Sequence, residues 1–157
     1  DEVVEVTNDD RFQDIIVPAG NLYATAEEAS RFFQMLLNDG YYEGQQIFKP
    51  ETVARALQPA YHRPRFDRSL FLPLNFSSGF MLGNRGMGMF GPGAPRAFGH
   101  LGFISIYCWA DPQRALSGAL LTTGKGVVGP HLPALFGLQH TINRHTRLRE
   151  GNSPVTA

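Results

Sequence analysis

Two short apolar segments, Ile104 to Trp109 and Ala115 to Thr123, are joined through Asp111-Pro112-Gln113-Arg114, and this pairing restricts the chain more than any other feature. Each segment has the length of a strand, and Asp-Pro starts a turn, so the chain must double back antiparallel. Asp111 is expected to cap that turn with its own side chain. The segment Phe98-Gly99-His100-Leu101-Gly102-Phe103 leads directly into the first strand. A Gly-His-x-Gly lead sets a titratable ring beside backbone that a small molecule can approach closely, because glycine carries no side chain to obstruct it.

The rest of the chain supplies layers for such a sheet. Thr25 is a good N-cap, Glu28 stands three residues later as in a capping box, and Gly40 ends the segment, which predicts a helix between them. Phe32, Phe33, Leu36 and Leu37 recur at helical spacing and form its predicted buried stripe. Tyr41 to Phe48 reads as a small hairpin turning at Glu43-Gly44, and Pro50 suits the first position of a short helix ending near Leu57. Residues 1–14, with Val3, Val4 and Val6, read as an extended lead-in, and Pro18-Ala19-Gly20-Asn21 as a turn. Gln58 to Asn75 reads as a long connection, Phe76 to Leu82 as a strand, and Gly83 to Pro95 and Gly124 to Pro130 as glycine-rich loops. His131 to about His145 is predicted to be a closing helix with Leu132, Leu135, Phe136, Leu138 and Ile142 on its apolar face, and residues 147–157 a disordered tail. The order is helix, hairpin, short helix, three antiparallel strands and a final helix, without internal repeats.

At 157 residues the chain is one domain or part of one. Its formal net charge of zero favours neither nucleic acid nor an anionic membrane surface. No apolar run approaches the roughly 18 residues that span a bilayer. The first residues lack a signal-peptide pattern, which leaves both periplasm and cytoplasm open. The single cysteine, Cys108, excludes an internal disulfide framework and is expected to be buried and inert. Gly86-Met87-Gly88-Met89-Phe90-Gly91 fits a dinucleotide fingerprint by letter, but it precedes Pro92 and Pro95 and opens no helix. His131, His140 and His145 are not spaced to share one helical face, so no metal site is expected. Arg63, Arg65 and Arg68 read as a solvated loop in preference to an anion site. No cofactor is implied. His100 by itself also fits a core histidine satisfied by backbone.

Four pieces in this order resemble the C-terminal half of the serine-hydrolase family that includes class C β-lactamases, penicillin-binding D-alanyl-D-alanine carboxypeptidases and related esterases. Pro18 to Glu28 resembles the family's Pro-x-Gly-x-Leu-x-Ser/Thr entry to a helix, and Ser78-Gly79-Phe80-Met81-Leu82-Gly83 its Gly-x-Gly strand. Phe98-Gly99-His100-Leu101-Gly102 is similar to the third active-site motif in its His-x-Gly form, and Asp111-Pro112 to the hairpin that follows it. The similarity runs from about Ile15 to Arg144. The family's Ser-x-x-Lys and Tyr-x-Asn motifs do not occur in these residues.

The resemblance implies an α+β fold, an α/β sandwich in which helices flank an antiparallel sheet, forming part of a serine β-lactamase-like fold. It implies that residues 1–157 are the C-terminal portion of a hydrolase acting on a small ester or amide, with the nucleophile upstream and the chain inactive alone. The backbone N–H of Phe103 then occupies the family position of an oxyanion-hole donor, of a kind whose loss typically costs roughly 3 kcal/mol. His100 stands where other members place lysine, and Gly99, Leu101, Gly102 and Met81 would line the substrate. Leu101 in place of threonine removes a hydroxyl that would hold a substrate carboxylate, which favours an ester or small amide over a β-lactam. Met81 to Phe90 would line an apolar pocket. The expected partner is the N-terminal half of the same hydrolase, or a second copy through unpaired strand edges. A binding or scaffold module that kept the fold without catalysis is the alternative, and an unrelated α+β ligand-binding domain a third.

Overall fold

Alternation of side chains along the central strands sorts the molecule into two layers of core, one on each side of a single sheet. The computed structural model describes residues 2–17, 20, 22–68, 71–86, 88–102, 106–122, 131–146 and 148. Residues 18, 19 and 21 of the first expected turn, Met87, Phe103, Ile104, the loop from Gly124 to Pro130 and the tail from Arg147 (Leu148 excepted) lie outside the described residues.

Two short helices, α1 (Glu2–Thr7) and α2 (Asp10–Asp14), precede α3 (Ala26–Leu37), the hairpin β1 (Tyr41–Tyr42) and β2 (Gln45–Gln46), and α4 (Pro50–Ala56). Then come β3 (Arg65–Asp67), β4 (Leu72–Phe76), β5 (Met81–Leu82), β6 (Phe98–Leu101), β7 (Ile106–Asp111), β8 (Leu116–Leu121) and the closing α5 (Leu132–His145). Strands β3 to β8 form one antiparallel sheet in sequential order. The chain is α+β, as the sequence predicts.

On one face Leu82, Phe98 and Ala110 pack with Phe33, Met35 and Leu36 of α3 and Val53 of α4. On the other, Leu74, Met81, Leu101, Tyr107 and Trp109 pack with Leu132 and Leu135 of α5. Register sets Met81, Gly99, Trp109 and Gly118 in one row across this second face. Gly118 makes room for the Trp109 ring, and Gly99 for the close approach of the Cys108–Trp109 backbone. A Cβ on Gly118 would stand 2.6 Å from the indole ring, and one on Gly99 would stand 2.6 Å from Trp109 Cα and overlap the Cys108 carbonyl oxygen.

The predicted capping box of α3 is present: Thr25 Oγ1 accepts from Glu28 N at 3.2 Å, and the Glu28 carboxylate accepts from Thr25 N at 2.8 Å. The helix ends in a Schellman arrangement, with Gly40 N donating to Met35 O and Asp39 N to Leu36 O, and with Asp39 at φ 53°. The Tyr41 hairpin turns at Glu43 and Gly44, both with positive φ, as a two-residue turn matched to strand twist requires. Asp111 caps its turn as expected, accepting from Gln113 N at 2.9 Å.

Several expectations are corrected. The lead-in with Val3, Val4 and Val6 is helical, and Asp9 caps α2 by accepting from Arg11 N; three valines suggest a strand, but among the described residues no strand pairs with them. In α3, Phe32 is 44% exposed while Met35 is buried, because the contact with the sheet centres on Phe33 and Leu36. The connection from Gln58 to Asn75 contains β3 and most of β4, whose Arg65↔Leu74 pairing has no clean periodicity to betray it. The strand expected from Phe76 to Leu82 is interrupted by a turn in which Ser77 N donates to Phe80 O. The apolar run after Gly102 does not continue the His100 strand: Gly102 N donates to Ile106 O, which closes a hairpin between β6 and β7. The sheet therefore has six strands, not three. In α5, Leu138 is 43% exposed, and Gln139 and Asn143 are buried in its place. Cys108 is half-buried, not buried.

Those buried amides serve the irregular segment between β5 and β6, in which Met89 and Phe90 are each 1% exposed. Buried backbone outside regular structure needs partners from elsewhere. Tyr107 Oη donates to Met89 O at 3.1 Å, Asn143 Nδ2 to Phe90 O at 2.8 Å, and Arg114 to Gly93 O at 2.9 Å. Gln139 Nε2 donates to Asn143 Oδ1 and so fixes the orientation of that amide. Burial pushes the Tyr107 hydroxyl well above the usual phenol range, which keeps it a proton donor. Arg114 also pairs with Asp111 at 2.6 Å, both side chains nearly sealed at 6% and 2% exposure. Asp111→Ala would leave that guanidinium buried without its counter-charge, and we predict a loss of about 3–5 kcal/mol in urea unfolding. A loss below about 1 kcal/mol, as for a solvated pair, would contradict the sealed arrangement.

Candidate active site

Position on β6 separates the residues that the sequence grouped together. Alternation turns Phe98 and His100 toward the α3 side and Gly99 and Leu101 toward the α5 side. Leu101 and Met81 are buried in the α5-side core, at 8% and 6% exposure, and Gly99 is pressed against Trp109. Met89 and Phe90, expected with Met81 to line a pocket, are core residues as well. Gly102 is half-buried at the hairpin, where a Cβ would stand 3.3 Å from Ile106. Within β6 only His100 is exposed. Phe103, the expected oxyanion donor, lies outside the described residues.

Strand pairing exposes the backbone next to His100. β5 pairs with β6 only through Met81↔Gly99 and Leu82↔Phe98, because the β4–β5 hairpin has already turned at Ser77 to Phe80. β6 runs beyond that turn, so among the described residues His100 and Leu101 have a strand partner only on the β7 side. An edge of this kind presents unpaired N–H and C=O groups to a ligand.

The imidazole orientation follows from one contact. His100 Nδ1 lies 2.8 Å from Leu101 O. A carbonyl only accepts, so Nδ1 carries the hydrogen in that contact. In the neutral ring Nε2 is then left as an acceptor, and the imidazolium donates from both nitrogens. The residue directly across the strand pair is Cys108. Burial pushes its thiol pKa up, which makes it a poor nucleophile and denies His100 an anionic neighbour there. No group of His, Cys, Asp and Glu suited to a metal occurs among the described residues. No described helix is long and apolar enough to cross a membrane.

Three clefts lined by described residues do not have His100 in their walls. Two adjoin at the opposite end of β6, with volumes of about 300 and 470 Å³, and share Leu57, Arg96, Phe98 and Pro112. The third, about 280 Å³, lies on α3 around Phe32 and Tyr42.

Comparison with known proteins fixes the relationship. The family model described as Beta-lactamase matches residues 1–136. The chain belongs to the beta-lactamase family. It is 32% identical over 155 residues to the esterase/beta-lactamase LipL of Mycobacterium tuberculosis, a match covering 91% of this chain and 33% of LipL. Among solved structures it is similar to a penicillin-binding protein homologue from Caulobacter crescentus, with a TM-score of 0.67 and 26% identity over 82% of this chain and 34% of that one. A family VIII carboxylesterase shares the fold, with a TM-score of 0.68 and 20% identity over 87% of this chain and 37% of that one. The chain thus spans about a third of the length of these relatives. The beta-lactamase-family fold was legible from the His100 motif and its hairpin, whereas the two clefts beside Arg96 had no sequence signal.

The raised Cys108 pKa carries a sign that can be checked. Because the folded state holds the thiol proton to higher pH, iodoacetamide should alkylate Cys108 more slowly in the folded chain than in urea at pH 8. The folded rate should still be climbing at pH values where the unfolded rate has levelled. Equal rates at pH 8, followed by intact mass, would contradict the burial of the thiol.

Proposed function

We propose that this chain forms one wall of a serine-hydrolase active site that acts on a small ester or amide, the nucleophile being carried by sequence outside these 157 residues. The observation that carries the reading is the exposed His100 at the free edge of β6, on a chain of the beta-lactamase family. The match to a relative named an esterase/beta-lactamase supports the ester or amide class.

In this reading the β6 edge aligns the substrate, and His100 Nε2 accepts a hydrogen bond from the attacking hydroxyl's relay or, when protonated, donates to the substrate. Phe103 N–H would serve as the oxyanion donor. Met81, Gly99 and Leu101 would act through the strand's position, with Gly102 giving the substrate room to approach. No metal or cofactor has a role. A non-catalytic binding module is the second reading, favoured by the clefts that lie away from His100.

The test is fluorophosphonate labelling of the full-length protein, read by intact mass, with hydrolysis of p-nitrophenyl butyrate measured alongside. One adduct on a serine is expected. His100→Ala should lower kcat/KM by about 10²-fold while leaving the fold unchanged by circular dichroism. Absence of both labelling and turnover would favour the binding module.

The partner follows from the far edge of the sheet. β8 reads Leu116-Ser117-Gly118-Ala119-Leu120-Leu121, without charge or proline, and pairs only with β7 among the described residues. Such an edge is a template for another strand. We assign it to the remainder of the same protein, so the 157-residue chain alone should self-associate in sedimentation velocity and a Leu120→Lys variant should do so less. A monodisperse wild-type monomer at tens of micromolar would overturn the assignment.

A further inference from the structure

We infer that the β3–β4 hairpin, with Tyr61 leading into it, is a docking surface for a membrane that carries anionic lipid. The inference goes beyond the hydrolase reading and does not rest on it, since it uses neither His100 nor the β6 edge.

The zero net charge of the chain conceals a separation of sign. The first 51 residues hold 11 Asp and Glu against 3 Lys and Arg. From Thr52 to Ala110 there are six arginines and a single acid, Asp67. The fold keeps the two regions apart. Helix α3 packs on β7 and β8 at one end of the sheet, whereas β3 is the edge strand at the other. Three of the six arginines, Arg63, Arg65 and Arg68, gather at β3, and all three are exposed. Arg65 lies over the Tyr61 ring, its guanidinium carbon 3.9 Å from the ring centre. Neither Arg63 nor Arg68 has an ion-pair or hydrogen-bond partner among the described residues. Cations so placed are drawn to the negative potential of an anionic leaflet, and the guanidinium fork matches a lipid phosphate.

Apolar groups stand among these charges. Phe66 is 64% exposed and Phe71 73%. Leu72 and Leu74 of β4 face the α5-side core, so alternation turns Pro73, and Phe66 opposite it, to the other side. On that side the sheet begins to contribute to the core only at Leu82 of β5, which leaves Phe66 bare. Phe71 also holds a left-handed backbone, at φ 53°, which a bulky side chain adopts at a cost. Neither burial nor backbone ease accounts for a phenyl ring there. Insertion does: the rings enter the headgroup boundary while the arginines keep their heads at the phosphates. Single-stranded nucleic acid offers the same charge but is held in a groove. None of the residues from Tyr61 to Phe71 lines the three clefts described above, and an exposed hairpin suits a flat lipid surface better.

The test is co-sedimentation of the full-length protein with phosphatidylcholine vesicles, alone or mixed with about one-third phosphatidylglycerol. Binding to the mixed vesicles is expected, with little to phosphatidylcholine alone and less as salt is raised. Arg63→Gln, Arg65→Gln and Arg68→Gln combined should weaken it by roughly tenfold, whereas Lys at the same three positions should keep most of it. Phe66→Ser with Phe71→Ser should also weaken it by roughly tenfold, which adsorption by charge alone would not show. Circular dichroism of each variant checks that the fold is retained. Absence of vesicle binding would overturn the inference, as would equal binding to both vesicle types or unchanged binding in the glutamine or serine variant. Arginine-dependent binding of oligothymidylate without vesicle binding would assign the hairpin to nucleic acid instead. Arginine-dependent self-association without vesicle binding would assign it to a second copy, and either result overturns the lipid surface.

Discussion

Arg114 sits where three parts of the chain that are distant in sequence must be held together. Its guanidinium reaches the Gly93 carbonyl, the Asp111 carboxylate and, at 3.4 Å, the Asn143 carbonyl. The segment between β5 and β6 is irregular and buries Met89 and Phe90, whose carbonyls need donors from inside the fold. Tyr107 from β7, Asn143 from α5 and Arg114 from the β7–β8 turn supply them. With that segment pinned, β6 enters the sheet at a fixed register. The register in turn decides that His100 faces outward and Leu101 inward.

The row across the α5 face makes the same point through packing. Trp109 stacks on Tyr107 with centroids 4.9 Å apart and overlies Gly118. A wide ring on a sheet needs a neighbour without a side chain, which Gly118 provides, while Gly99 lies close against the Cys108–Trp109 backbone. Gly99 therefore has a packing reason to be glycine that is independent of any substrate. The same glycine lies next to the one exposed residue of the strand, so core packing and the presentation of His100 are set by adjacent positions.

The family relationship bears on the strand edges that this chain leaves open. The β6 edge at His100 and the β8 edge at Leu116 to Leu121 are both open among the described residues. In relatives about three times as long, there is twice as much chain again available to meet them. The two edges differ in character. The first is short and ends in an imidazole, as suits a ligand, whereas the second is longer, uncharged and apolar, as suits another strand.

The sequence by itself determined the elements whose signals are local. The Thr25 to Glu28 capping box, the Glu43-Gly44 turn, Pro50 at a helix start and the Asp111 cap are each settled within four residues, where sterics and nearby hydrogen bonds dominate. Only the tertiary structure decided what depends on distant partners. It made Arg65 to Asp67 and Leu72 to Phe76 strands, ended the His100 strand at Leu101, exposed Phe32 and Leu138, and buried Gln139 and Asn143. A strand's hydrogen bonds lie outside its own segment, and a buried amide is stable only beside the carbonyl it satisfies. For that reason His100 could be named from its flanking glycines, while the edge it stands on, and the cleft at the other end of its strand, required the whole sheet.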